Sequence, residues 1–202
     1  MLMPRIQQHF IDGADVQYQC AQALGAPLEA AAQVLLHGLA AGGKVLAWGQ
    51  GVAAALAQAL VAQLVGRFER ERPELAALVL GADATLASVA TVGDVAAAAA
   101  VRQLRALGLP GDVLLLVCAG PPGPDALALV DTAHERDIAV VVLSGARVGD
   151  LPDALRDGDV WAAVPAERAP RVLEAQLVAL HALCDALDAQ LLGDDELETV
   201  TT

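Results

Sequence analysis

From Lys44 onward the apolar residues fall into short uninterrupted runs, at Lys44–Trp48, Leu75–Leu80, Asp112–Ala119, Ile138–Leu143 and Val160–Val164. A strand with one wet face alternates apolar and polar residues; continuous runs require burial on both faces. Stretches of helical spacing near 52–66, 94–107 and 124–136, and a long one near 168–191, separate or follow the runs. The pattern predicts an α/β three-layer sandwich, five parallel strands covered on both sides by helices. Ahead of it, residues 5–24 and 27–41 read as a helical hairpin broken at Gly25-Ala26-Pro27.

With 56% hydrophobic but only 2% aromatic residues, the interior must be packed from Ala, Leu and Val, which lets helices approach closely. The mean hydropathy of +0.51 invites a membrane test. The longest candidate, Val52–Gly66, is too short to span a bilayer and contains Gln58 and Gln63. Met1–Arg5 does not open a signal peptide, so the expected location is the cytoplasm. Length and patterning give one domain over 1–192, including the N-terminal helices of about 1–41, followed by an acidic, mobile tail over 193–202.

A net charge of −13, with no Lys/Arg-rich run, argues against direct contact with nucleic acid. Cys20, Cys118 and Cys184 are far apart in sequence, which points to buried free thiols rather than a disulfide framework or metal site. No cofactor is expected.

Ligands of open parallel sheets bind beyond the carboxyl ends of the strands, at turns leading into helices. Three turns qualify: Gly49-Gln50-Gly51-Val52-Ala53, the segment from Cys118 through Gly120 to Asp125, and Ser144-Gly145-Ala146-Arg147. The first two have the glycines of a binding turn without its hydroxyls. Pro121 and Pro122 also remove two backbone donors from the second.

The segments "GKVLAWGQG", "GRFERERPELAAL", "RQLRALGLPGDVLLLV", "ERDIAVVVLSG" and "RVLEAQLVALHALCDALDAQLL" resemble, in order and spacing, the sugar isomerase (SIS) domain proteins of the phosphoheptose isomerase (GmhA) branch. Within that branch the likeness is greatest to the DnaA initiator-associating (DiaA) proteins. The resemblance places the isomerases' serine at Ala53, their asparagine at Gln50, their glutamate base at Gln63 and an adjacent histidine at Ala59. It places a glutamine at Leu173 and an Asn-Asp pair at Val92-Gly93, and it retains one histidine, His181. For the metal ion of some isomerases the resemblance offers Ala59, Gln63 and Gln176, which make no convincing ligand set. Gly49, Gln50, Gly51, Cys118 and Gly120 are then remnants of a ligand site, and Cys118 stands where a phosphate-binding serine would be. His181 reads either as a catalytic remnant or as a packed helix residue; His9, His37 and His134 read as solvated or interfacial.

With these positions substituted, the resemblance implies a non-catalytic homotetrameric adaptor that binds the DnaA initiator and promotes its assembly at the replication origin. Leu191 and Leu192 would belong to the partner surface. The apolar stripe Ile6, Phe10, Ala14 and Tyr18 would be covered by a second subunit. The alternatives are a sedoheptulose 7-phosphate isomerase and a phosphosugar sensor without turnover.

Overall fold

The structure is a computed structural model and describes residues 2–90 and 98–193. Val92, Gly93 and the acidic tail beyond Gly193 lie outside the described residues. Helices α1 (Met3–Ala23) and α2 (Gly25–Ala40) are separated only by the buried Leu24. Gly25-Ala26-Pro27 is the first turn of α2 rather than a break. The missing N–H of Pro27 costs nothing there, because first-turn donors have no intrahelical acceptor.

The α/β unit follows as β1 (Val45–Gly49), a 3₁₀ turn at Gly51–Ala53, α3 (Ala54–Val65) and β2 (Ala77–Val79). Next come α4 (Ala84–Ala90), α5 (Ala98–Leu107), β3 (Val113–Val117), α6 (Pro124–His134) and β4 (Ala139–Ser144). The short α7 (Leu151–Ala154), β5 (Val160–Ala163) and the long α8 (Ala169–Leu192) complete the described fold. α4 was not expected. Its signal is Asp83, whose carboxylate accepts the Leu86 N–H at 2.7 Å as a helix cap.

All strand pairs are parallel, in the order β2-β1-β3-β4-β5. Alternate residues of each strand supply two cores. Val45, Val113, Leu115, Val117, Val141 and Leu143 pack with residues of α2, α3 and α8. Leu46, Leu114, Leu116, Val140 and Val142 pack with residues of α5 and α6. The continuous apolar runs thus reflect burial on both faces. At the amino ends of β1 and β3, Asp112 is buried and accepts from Lys44 Nζ at 2.7 Å and from the N–H groups of Lys44 and Leu109.

Outside the sandwich, Ile6, Phe10 and Tyr18 of α1 remain 58%, 77% and 72% exposed, so this chain alone does not cover that stripe. Ala31, Leu35 and Gly38 of α2, by contrast, are buried, as are Leu180 and Leu187 of α8. Among the described residues, no helix is long and apolar enough to cross a membrane.

Candidate functional site

The chain runs from β1 outward to β2 and then returns to β3 on the other side of β1, so the strand order reverses between β1 and β3. The turns leaving these two strands meet at that reversal. Gly49 ends β1, and a Cβ there would lie 2.3 Å from the Ala53 carbonyl oxygen; no side chain fits. Gly51 has φ +58°, the left-handed region that favours glycine. The turn's glycines are therefore required by its path, whatever it binds.

Gln50 ties this turn to the next. Its N–H donates to the Val117 carbonyl at 2.9 Å. Its side-chain Nε2 donates to the Pro121 carbonyl at 3.0 Å, and its Oε1 accepts the Gly123 N–H at 2.8 Å. The expected ligand remnant is thus engaged with the protein itself. Gly120 has open space around its Cα, and Ala53 is fully buried, helping to form the floor of the first turn.

Cys118 begins the second turn and is fully buried; burial pushes its thiol up to about 12. Its N–H donates to the Leu143 carbonyl at 2.9 Å. Gln176, at 0% exposure on α8, donates through Nε2 to the carbonyls of Cys118 and Leu143, at 3.0 and 3.1 Å. Weighed in the sequence only as a metal ligand, Gln176 here holds the carboxyl ends of β3 and β4 together. Among the described residues, no cluster of three or more His, Cys, Asp and Glu side chains is placed to hold a metal ion.

Gln63 lies near the end of α3, and its Oε1 accepts from the Cys184 thiol at 3.4 Å. That thiol is pushed up to about 12, chiefly by burial, then by Asp188, with Arg72 opposing. His181 stands one helical turn before Cys184 on α8, half-buried, with its ring centroid 5.4 Å from that of Phe68. The carbonyls at the end of α3 are satisfied by Arg72, which donates to Gln63 and Leu64 at 2.8 and 2.9 Å. Arg72 Nε also meets Asp188 at 2.5 Å, with both side chains almost fully buried. Sequence reasoning missed this pair. Its signal was an aspartate in the apolar pattern of α8.

Leu173 is half-buried in the core, and Leu191 and Leu192 are 48% and 38% exposed at the end of α8, away from the paired turns. Of the two readings for His134, solvated or interfacial, the structure removes the first: it meets Asp159 at 2.8 Å with its side chain 5% exposed. His9 meets the buried Arg171 through its carbonyl and Nδ1.

Comparison with known proteins gives a consistent family. The SIS domain model matches residues 9–145. A phosphoheptose isomerase of Methylibium petroleiphilum is 44% identical over 197 residues, covering 98% of each chain. One from Aromatoleum aromaticum is 41% identical over 96% of this chain and 98% of its own. The solved structure of phosphoheptose isomerase GmhA from Neisseria gonorrhoeae superposes with a TM-score of 0.87 at 32% identity, covering 94% of this chain and all of that one. These findings confirm the five-stranded parallel α/β fold and overturn the non-catalytic adaptor expected from the substituted turns. Proteins that match nearly end to end carry the name of an enzyme, so the alternative reading is the better supported one. The adaptor expectation was read from a few substituted positions, whereas the match to these proteins extends over nearly the whole chain.

Proposed function

We propose, because the chain belongs to the SIS domain family in its phosphoheptose isomerase branch, that it isomerises a seven-carbon sugar phosphate between ketose and aldose forms. The observation that carries this reading is 44% identity along 98% of both chains to a phosphoheptose isomerase. The sugar phosphate would occupy the crevice between the turns after β1 and β3. Isomerisation moves a proton between adjacent carbons while the neighbouring oxygens exchange hydrogen bonds. Gln63 cannot act as a base and would serve a hydroxyl through its amide. Cys184, with its thiol held up to about 12, stays protonated at neutral pH and is not the base. His181 is the titratable side chain retained at a family position, and it takes the proton-transfer role.

The working unit would be a homotetramer, with Ile6, Phe10 and Tyr18 buried between subunits. Grooves of about 510 and 330 Å³ beside α8, lined largely by alanines and leucines, offer seats for a neighbour's helix. Purified protein should convert sedoheptulose 7-phosphate to its aldose isomer in a coupled assay, and His181→Asn should abolish the conversion. Absence of turnover in the unaltered protein refutes the reading.

A further inference from the structure

We propose that the Gln50 side chain is an autoinhibitory latch across the crevice, released when a sugar phosphate binds. The inference rests on the reading above for its ligand, but its evidence is separate. Two side-chain hydrogen bonds of this one residue join turns that are 71–73 residues apart, and a backbone bond joins it to β3. The backbone N–H holds the end of β3 at Val117, and the amide then spans from Pro121 O to Gly123 N. Both ends of the amide are used, so the two turns satisfy one another without a ligand. The contact depends on length, since an asparagine is one methylene shorter.

A ligand placed between the turns must therefore compete with an intramolecular partner. The bonds formed by Gln50 join neutral groups, whereas a phosphate or a sugar oxygen polarised by it offers charge-assisted bonds that are roughly twice as strong. Ligand binding can thus displace the amide, while water, a neutral competitor already present, leaves the latch closed. The cost of opening appears as weakened apparent affinity, in proportion to the fraction of protein that is unlatched. Two neutral, partly exposed side-chain bonds set that penalty at about tenfold.

The test uses the full chain and sedoheptulose 7-phosphate as the probe. Affinity is measured by calorimetry for the unaltered protein, Gln50→Ala and Gln50→Asn, and the Gly123 amide is followed by hydrogen exchange. The expected result is binding about tenfold tighter in both variants, with the Gly123 amide exchanging faster when no probe is present. In the unaltered protein, saturation with the probe should shift the Gln50 side-chain NH₂ resonances. Equal or weaker affinity in the shortened variants, no binding by any of them, or NH₂ resonances unmoved at saturation overturns the latch. Turnover by the unaltered protein with equal affinities removes the latch and leaves the isomerase reading. Tighter binding by the variants with no turnover in any protein does the reverse.

Discussion

Removing the carboxylate of Asp188 should be among the most damaging single changes outside the sheet. Its partner Arg72 is 1% exposed, Asp188 itself 2%, and their contact is 2.5 Å. Arg72 also donates to the carbonyls of Gln63, Leu64 and Pro73, so it cannot swing out to water without uncapping α3. The arginine meets Oδ1, and among the described residues Asp188 Oδ2 has no hydrogen-bond partner, which leaves the arginine as the carboxylate's main compensation. Breaking a buried pair from one side leaves an uncompensated charge and costs about 3–5 kcal/mol. For a domain of this size, each kcal/mol moves the melting midpoint by about 2–4 °C. Asp188→Ala should therefore lower the midpoint by roughly 6–20 °C. Urea denaturation followed by circular dichroism would measure the free energy, and the neutral isostere Asp188→Asn should lose less, about 1–3 kcal/mol. A loss below about 1 kcal/mol for Asp188→Ala would show that the pair does not hold α3 to α8.

Gln63→Glu should raise isomerase turnover by about a hundredfold or more, since a carboxylate base contributes on that scale; an unchanged rate in the coupled assay would place the proton transfer elsewhere. Cys118 and Cys184, each raised to about 12, should resist iodoacetamide at pH 8 in the folded protein and react once it is unfolded, as read by intact mass. The same thiols ionise near 9 in the unfolded chain, so their contribution to stability is complete below that pH and is lost as pH rises from 9 toward 12. A denaturation midpoint that stays flat or rises across that window would contradict the burial.

Strand positions were legible because each lies in a continuous apolar run; β1, β3 and β4 fall within one or two residues of the limits read from Lys44–Trp48, Asp112–Ala119 and Ile138–Leu143. The Asp83 cap of α4 was readable and passed over, since the helix it opens is short and rich in alanine. Gly49 and Gly51 were read as remnants of a ligand site, and the path of their turn requires both whatever it binds. What sequence could not supply was convergence. Gln50 meets Pro121 and Gly123, and Arg72 meets Asp188 116 residues away, only because the sheet order brings those segments together. Reading the turns separately made the first look emptied. In the folded chain, the Gln50 amide lies between them.

The central claim, that this crevice isomerises a sugar phosphate, is tested most directly by proton NMR of sedoheptulose 7-phosphate in D₂O with a catalytic amount of the purified protein. Proton transfer between adjacent carbons through a base that exchanges with solvent should wash deuterium into the carbon beside the carbonyl as the aldose signals grow. Both changes should disappear with His181→Asn. A spectrum that remains that of the ketose, with no deuterium incorporated over a time long enough for many turnovers, would contradict the account.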